Sequence, residues 1–449
     1  MSELGEFPTF SVLVAAMRAR GVQRGFAKRL APNDNSKNQI YLSGSFHTLQ
    51  VLPVTEITTD RSRKDSKRDR YKAKLDFFWL SPDGGLFEAP RSQLILYPKY
   101  PEVRLSGFLK GAKKAPVAAL TSRDEGRILF LGVTDDATVI GHVASAGTPL
   151  ANEAAHTLGL VSGQGLEPIL GFSGSPDATS RAVLIESLRE IHEQGWVSGR
   201  RLLADGRTIP YKAPSAAGYT LEALLGIRPN ADNAPDFHGW ELKQHRAPLD
   251  NPLGGGPVTL IDTTPSKGIF AESRAAGFIR KYGYPDKSGI EDRLNFGGVH
   301  KAGIKQSLTG LTLVVRGFDP ASGKITDVGG AIELIDEAGE LAGGWPFPTL
   351  LKKWNRKHDR AAYVPCEKEM RSGQVGYRFG FVIGLGVGTS FDLLLKSVAT
   401  TSTYYDPGMK IEAVSTGRSK QKVRSLFRIR ARDLPRLYRQ FDQVSVVGN

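Results

Sequence analysis

Cysteine is almost absent from this sequence. The 449 residues include a single cysteine, Cys366, which excludes an intramolecular disulfide and a zinc site built from several cysteines. No stretch reaches the roughly 18 consecutive apolar residues that span a bilayer, and no G-x-x-x-x-G-K-[ST] phosphate loop occurs. The N-terminus lacks the pattern of a signal peptide. We therefore expect a cytoplasmic protein with no membrane partner, no disulfide and no P-loop motor.

Acidic residues are fewer than basic ones. The chain has 46 Asp and Glu against 60 Lys and Arg, which gives a net charge of +14. This surplus makes a polyanion, DNA or RNA, the leading partner, although a basic protein without such a partner has the same balance. The basic residues concentrate in residues 61–74 and 410–439. Two separate concentrations indicate two DNA-facing surfaces, and the alternative is a pair of solvated faces or loops.

The composition predicts a folded chain of more than one domain. Hydrophobic residues make up 40% and charged residues 24%, as in ordinary globular proteins, and this length favours two or three domains. Residues 1–150 read as short strands separated by turns, which is typical of a barrel or sandwich. Residues 151–180 are rich in small residues and are predicted to be a linker. Residues 181–449 are predicted to form a mixed α/β domain that starts with a helix capped by Thr179 or Ser180.

One short segment has the residue types that phosphodiester hydrolysis requires. Asp236 is followed five residues later by Glu241 and then by Lys243, and the last two lie in an apolar strand pattern. Alternate residues of a strand share a face, so Glu241 and Lys243 should point the same way. Two carboxylates and a backbone carbonyl suit Mg²⁺, and a nearby lysine can orient a water and stabilise charge on phosphorus. The pattern alone is common, and the alternative is a solvated strand edge with an ion pair.

A second glycine-rich segment has a simpler interpretation. Residues 384–388 read GLGVG, which has glycines in the spacing of a dinucleotide-binding loop. No helix with an acidic residue follows at the required distance. We predict a glycine-rich strand.

The sequence around the carboxylates resembles a known family. GYTLEALLGIRPNADNAPDFHGWELKQHR (218–246), VTLIDTTPSKG and FIRKYGYPDKSG resemble the MvaI/BcnI family of restriction endonucleases, which belong to the PD-(D/E)xK superfamily and are close to the MutH repair nicking enzymes. The resemblance runs from about residue 184 to the C-terminus. It implies a restriction-endonuclease-like α/β fold and a monomeric, Mg²⁺-dependent type II enzyme that cuts double-stranded DNA at a short C/G-rich site of the CCNGG kind.

The resemblance also assigns roles to residues. Asp236 and Glu241 would be the Mg²⁺ ligands, Lys243 the catalytic lysine, and Glu222, in the T-[LF]-E motif, a support for the metal or the attacking water. His238 and His245 flank the site and are expected to have packing or DNA-facing roles. The family's DNA contacts fall on these positions: Ser266, Lys267, Arg280, Lys281 and Tyr282 for the backbone, and Arg418, Arg424 and Arg428 for guanine bases or for phosphates alone.

The N-terminal part has a looser resemblance. FAKRLAPNDNSKNQIYLSG, YPEVRLSGFLKG and RILFLGVTDDATVIGHV resemble the B3-like DNA-binding pseudobarrel of EcoRII-N type. This implies a type IIE enzyme whose N-terminal domain binds a second copy of the site; an unrelated β-barrel is the alternative. A MutH-like nicking enzyme and a non-catalytic DNA-binding regulator are the rival functions. Two arms would clamp the DNA, with Lys28, Arg29, Asn33, Asn38 and Gln39 on one and Glu102, Arg104 and Ser106 on the other.

Overall fold

The chain divides into two compact units, Met1–Thr179 and Ser180–Asn449. The structure is a computed structural model. It describes residues 2–37, 39–44, 48–62, 68–98, 102–134, 136–161, 165–169, 172, 176–228, 236–371, 373–416 and 420–448. Within these ranges no helix has the length and hydropathy needed to cross a membrane.

The first unit consists mostly of strands, as predicted for residues 1–150. Its helices are α1 (Phe10–Ala19), α2 (Thr48–Val51), α3 (Val117–Thr121) and α4 (Pro149–Leu158). Its strands are β1 (Ser2–Glu3), β2 (Val22–Arg29), β3 (Ile40–Ser43), β4 (Glu56–Asp60), β5 (Arg70–Lys74), β6 (Phe77–Leu80), β7 (Leu86–Glu88), β8 (Gln93–Tyr97), β9 (Glu102–Ser106), β10 (Lys114–Ala115), β11 (Ile128–Thr134), β12 (Val139–Ala144) and β13 (Glu167–Pro168).

Two sheets build this unit. One has the strand order β13-β2-β11-β12-β6-β7 and the other the order β3-β9-β8-β5-β4, while β1 and β10 form a short parallel pair. Strands of the second sheet alternate between a buried and a more exposed face. Tyr71 and Ala73 are fully buried, for example, whereas Lys72 and Lys74 are not. This period of two is the one expected for a sheet with one face on the core.

The segment predicted to be a linker belongs to the first unit. Helix α4 begins after Thr148, whose hydroxyl accepts the Ala151 amide, and ends at Gly159 in the left-handed region. Leu150 and Ala154 are buried in the same core cluster as α1, and β13 pairs with β2. The described residues 151–161 and 165–169 therefore fold with the first unit and residues 176–180 lie in a helix, contrary to the linker prediction, while residues 162–164, 170–171 and 173–175 of the predicted span lie outside the described residues. Among the described small residues, Gly159 caps α4 and Ala151 and Ala154 are buried, and a linker has the same composition.

The second unit is a mixed α/β fold. Its helices are α5 (Pro176–Glu193), α6 (Ala216–Leu224), α7 (Ile269–Tyr282), α8 (Phe347–Lys357) and α9 (Phe391–Ala399). Its strands are β14 (Val197–Ser198), β15 (Arg200–Leu202), β16 (Thr208–Pro210), β17 (Glu241–Arg246), β18 (Pro257–Asp262), β19 (Tyr284–Pro285), β20 (Arg293–Gly297), β21 (Thr312–Arg316), β22 (Phe318–Asp319), β23 (Lys324–Ile325), β24 (Ala331–Ile335), β25 (Leu341–Pro346), β26 (Arg360–Arg371), β27 (Gln374–Phe379), β28 (Val382–Thr389), β29 (Thr403–Tyr405), β30 (Gly408–Glu412), β31 (Lys420–Lys422), β32 (Leu426–Arg430) and β33 (Tyr438–Ser445).

The central sheet of this unit carries the predicted site. Its strands follow the order β14-β27-β26-β28-β33, and β17 joins it by parallel pairing with β26. One face packs against α5 and α6 through Leu184, Leu188, Leu221, Trp240 and Leu242. Smaller sheets, β18-β32-β29, β19-β20-β30-β31 and β21-β24-β25, complete the unit. Strand β28 contains the glycine-rich segment, which confirms the prediction of a strand.

Candidate active site

A tight hairpin brings Asp236 to the start of β17. His238 (φ 46°) and Gly239 (φ 82°) both have positive φ values, as a two-residue type I′ turn requires. The turn is closed by two hydrogen bonds between Phe237 and Trp240, one in each direction, at 3.0 and 2.8 Å. Asp236 lies one position before this pair, and its Oδ2 accepts the backbone N–H of Leu242 at 3.1 Å. The hairpin therefore holds the Asp236 carboxylate beside the strand that carries Glu241.

Helix α5 anchors this hairpin. The indole Nε1 of Trp240 donates to the Ser180 hydroxyl at 2.9 Å, and that hydroxyl donates to the His238 carbonyl at 2.9 Å. Ser180 was predicted as a possible N-cap, but the helix begins at Pro176, so Ser180 lies inside it. Its hydroxyl contacts the turn, and the rigid helix thus fixes the turn that positions Asp236.

Glu241 and Lys243 lie on the same face of β17, as the alternation predicts. Leu242 and Trp240 pack into the core on the opposite face. The Glu241 side chain is only 1% exposed, and the Lys243 Nζ lies 2.5 Å from its Oε1. The Lys243 side chain remains 19% exposed. The lysine therefore offsets the charge of a buried carboxylate while its own end still reaches the surface.

Two tyrosines next to Glu241 were not foreseen from the sequence. Tyr363 is paired with Lys243 in the strand register, and its hydroxyl is 2.8 Å from that of Tyr438. Both are buried. Burial is the main reason that the pKa of each phenol lies above its ordinary value, and the charge of Glu241 raises it further. Both phenols therefore stay protonated beside the carboxylate.

The glycines of β28 make room for these rings. A Cβ at Gly386 would lie 2.5 Å from Cδ2 of Tyr438, and one at Gly384 would lie 2.7 Å from Cζ of Phe441. No larger residue fits without moving an aromatic ring. The glycines that resemble a dinucleotide loop are therefore needed so that the aromatic rings can pack against β28. This glycine spacing is the sequence signal that could have indicated the two tyrosines.

Glu222 lies on α6, which is tied to the neighbouring hairpin. The Thr220 hydroxyl donates to the Ala216 carbonyl at 2.6 Å and accepts the Arg200 N–H at 3.1 Å. Glu222 itself is half-buried. Among the residues that the structure describes, no three His, Cys, Asp or Glu side chains are grouped so as to hold a metal ion. The structure thus holds Asp236 beside the strand that begins with Glu241, and among the described residues Glu222 does not complete a three-carboxylate cluster with them.

The donor types at this strand suit a hard cation. The Asp236 and Glu241 carboxylates and the Leu242 carbonyl are all oxygen ligands, which Mg²⁺ prefers over nitrogen or sulfur. The Asp236 carboxylate is held by a backbone N–H and the Glu241 carboxylate by an ammonium group, so both are oriented within the fold. By donor chemistry, these three groups fit Mg²⁺.

The flanking histidines are in structural positions. His245 is buried, and its Nε2 donates to the Pro252 carbonyl at 2.7 Å. Burial lowers the pKa of His245, which keeps the ring neutral. His238 forms the turn, with its carbonyl accepting the Ser180 hydroxyl. Both residues therefore have structural contacts in the fold, and the expectation that neither transfers a proton stays a prediction.

The predicted DNA contacts of the second unit fall into three groups. Arg428 is hydrogen-bonded to the Asp406 carboxylate at 2.8 Å and to the Pro257 carbonyl at 3.3 Å, so it is partly committed to the fold. Arg418, with residues 417–419 of the second basic run, lies outside the described residues. The remaining side chains are at the surface, apart from buried Tyr282: Ser266, Lys267, Arg280, Arg424 and Lys281, which forms an ion pair with Glu340.

In the first unit, Lys28 does not lie at the surface. It is 1% exposed, and its Nζ is 3.3 Å from Asp34 Oδ2. Asp34 in turn accepts the Tyr41 and Ala31 amides, so the pair fixes the loop between β2 and β3. The prediction of a DNA contact by Lys28 was wrong because the buried carboxylate at Asp34 accommodates its charge.

The other predicted arm residues have mixed surroundings. Asn33 is exposed, Arg29 and Gln39 are half-buried, and Arg104 pairs with Glu102 at 3.1 Å on the same face of β9 as Ser106. Asn38 lies outside the described residues, as do residues 63–67 of the first basic run. These positions remain predictions for a DNA-binding surface.

The mixed sheet with its D-x4-E-x-K strand defines the second unit as a restriction-endonuclease-like α/β fold. A sequence model of the MvaI/BcnI restriction endonuclease family matches residues 185–438. This is more than half of the chain, which therefore belongs to the MvaI/BcnI restriction endonuclease family. Membership implies a DNA nuclease.

The solved structures that are similar to the chain include two of the restriction endonuclease MvaI. One is the restriction endonuclease MvaI in complex with its cognate DNA substrate, at 18% identity and a TM-score of 0.44, with 59% of this chain and 98% of MvaI covered. The other is MvaI in the absence of DNA, at 17% identity and a TM-score of 0.33, with 60% and 98% covered. A search of curated proteins found no match.

Proposed function

We propose that this protein is a Mg²⁺-dependent type II restriction endonuclease that cuts double-stranded DNA at a short C/G-rich site of the CCNGG kind. One observation carries the proposal: the hairpin at His238 and Gly239 holds Asp236 against the strand on which Glu241 and Lys243 share a face. Family membership supports the nuclease activity, and the net charge of +14 supports a nucleic-acid substrate.

Each residue of the site has a defined task in this proposal. Asp236 and Glu241, with the Leu242 carbonyl, would hold Mg²⁺, which when bound lowers the pKa of a coordinated water and offsets charge on the phosphate. Lys243 keeps its ammonium group next to Glu241 and at the surface, where it can donate to the attacking water and to a phosphate oxygen. Glu222 would support the water from α6. The Leu242 amide keeps the Asp236 carboxylate turned towards the site.

The test is digestion of a sequenced, unmethylated plasmid with Mg²⁺ and with EDTA. Wild type should give discrete linear fragments with Mg²⁺ only, and mapping their ends gives the site. Lys243→Ala should give none, whereas Lys324→Ala, which removes an exposed lysine on β23, should digest like wild type. Persistent open circles would instead identify a MutH-like nicking enzyme. Intact supercoils would leave a DNA-binding regulator on a nuclease fold.

The first unit has a separate role in the proposal. By its resemblance to B3-like domains it would bind a second copy of the site, in a type IIE arrangement within a monomer. Addition of a short duplex that carries the site should then raise the rate of cutting on a plasmid with one site. A rate that stays constant over all duplex concentrations would exclude an activating role for this unit.

A further inference from the structure

Two hairpins of the second unit end side by side. The first connects β19 to β20 through residues 286–292, and the second leads from β30 towards β31, with residues 413–416 of its tip among those that the structure describes. Strands β20 and β30 pair so that Arg293, the residue after the first tip, is opposite Glu412, the residue before the second. Both tips therefore leave the same end of one four-stranded sheet.

Asp292 joins the two tips. It has φ 54°, a left-handed conformation that asparagine and aspartate tolerate better than most residues. Its Oδ1 accepts the Ser415 backbone N–H at 2.9 Å, and its Oδ2 accepts the Ser415 hydroxyl at 2.7 Å. Its carbonyl also accepts the Val414 N–H at 3.4 Å. One residue of the first hairpin thus holds two consecutive residues of the second, 123 positions away.

A chain of charges reinforces this connection at the base of the tips. Arg293 contacts Asp286 of its own hairpin at 3.4 Å and also Glu412 of the other, which in turn accepts Lys410 at 2.5 Å. Arg293, which makes two of these contacts, directly follows Asp292 in the chain. The described parts of the two hairpins are therefore joined to each other at Asp292 and again at Arg293.

The surface of the two hairpins fits DNA better than another partner. Lys420, Lys422 and Arg424 are exposed along the second hairpin, and Lys287 and Ile290 are exposed on the first. Cationic side chains contact phosphates, whereas tips of β-ribbons enter grooves and contact base edges. Reading a base requires placement within about 0.5 Å, which a tip held at only one end does not provide.

We propose that the two hairpins form a single DNA-reading element and that Asp292 is the positioning residue that fixes one tip against the other. This inference rests on the proposed function. It assigns sequence discrimination to the first hairpin, residues 286–292, as well as to the second. Phosphate contacts by the lysines do not depend on Asp292, so discrimination and general affinity should separate.

The experiment compares cleavage of a duplex that carries the mapped site with cleavage of a duplex changed at one base pair. For Asp292→Ala, kcat/KM on the site should fall about tenfold, the value of one lost base contact. Cleavage of the changed duplex, and kcat on the site at saturation, should stay within about threefold of wild type. Affinity for an unrelated duplex in EDTA should not change, which separates loss of positioning from loss of folded protein.

Three further variants sharpen the result. Asp292→Asn keeps an oxygen that accepts the Ser415 N–H, places an amide N–H that can donate to the Ser415 hydroxyl, and tolerates the left-handed backbone, so it should retain wild-type discrimination. Ser415→Ala removes one hydroxyl and should lose part of it, which provides a second test if Asp292→Ala unfolds. Asp319→Ala is the matched control, because Asp319 accepts the amides of Ala321 and Ser322 within its own hairpin; it should discriminate like wild type.

The experiments distinguish a failure of this inference from a failure of the proposed function. A wild-type chain that cuts no DNA refutes the proposed function and this inference with it. A wild-type chain that cuts its site, together with Asp292→Ala that discriminates equally well, refutes the inference alone. An equal loss on both duplexes also refutes it, because that result describes a general weakening of binding.

Discussion

Replacement of Gly386 by alanine tests the packing behind the proposed site. The added Cβ would lie 2.5 to 2.7 Å from three ring atoms of Tyr438, so the ring must move. Overpacking of a full core costs about 1–3 kcal/mol. Movement of the ring also breaks the buried 2.8 Å hydrogen bond to Tyr363, which contributes about 1 kcal/mol. The expected loss of stability is therefore about 2–4 kcal/mol.

Thermal unfolding of the full chain measures this loss. Four of the five tryptophans, all except Trp79, belong to the second unit, so their fluorescence reports mainly on its unfolding. At about 2–4 °C per kcal/mol for a unit of this size, the Tm should fall by roughly 5–15 °C. Cleavage should fall as well, because Tyr438 lies beside Glu241.

A glycine in open space serves as the control. A Cβ at Gly218, inside α6, has no neighbour within 4 Å, so Gly218→Ala should stabilise the helix by up to about 1 kcal/mol. If Gly386→Ala melts at the wild-type temperature, or if both variants lose the same stability, the steric argument for the glycine-rich strand fails.

Two predictions concern buried charges in the first unit. Asp34→Ala leaves the Lys28 ammonium buried without its carboxylate. Urea unfolding should show a loss of about 3–5 kcal/mol in the free energy of unfolding, and Lys28→Met in the same chain should largely restore it. A loss below about 1 kcal/mol would contradict the buried pair. Burial lowers the pKa of His142 to about 4 from 6.5, so the unfolded chain takes up a proton first as the pH falls. Stability should be full above pH 6.5 and about 2 kcal/mol lower at pH 5, and His142→Phe should remove that difference from the urea titration.

The strand of the proposed site could be predicted because its signals are local. Alternation in Glu241, Leu242 and Lys243 fixes which side chains share a face, and the apolar neighbours identify the buried side. The family resemblance extends the prediction to the whole second unit, since it depends on several motifs in order. Gly384 and Gly386 indicate a strand because the helix that a dinucleotide loop requires is missing.

Other features depend on contacts between distant residues. Lys28 is a cationic residue within a basic segment, and such residues often contact DNA. Its burial against Asp34 becomes visible only in the folded structure. The Tyr363–Tyr438 pair joins positions 75 residues apart. Helix α4 reads as a linker because alanine and glycine occur both in flexible segments and in tightly packed caps. Composition does not distinguish these cases, whereas packing does.

The His238-Gly239 turn determines how the motif can change during evolution. Four residues separate Asp236 from Glu241. Two of them, Phe237 and Trp240, pair with each other, and the other two, His238 and Gly239, form the turn. A single-codon insertion would shift the pleat by one position and turn the aspartate to the wrong side. A two-codon insertion would preserve the side only with a different turn type. Homologous genes should therefore gain or lose codons here in pairs, and each such event should be accompanied by replacement of the His-Gly dipeptide.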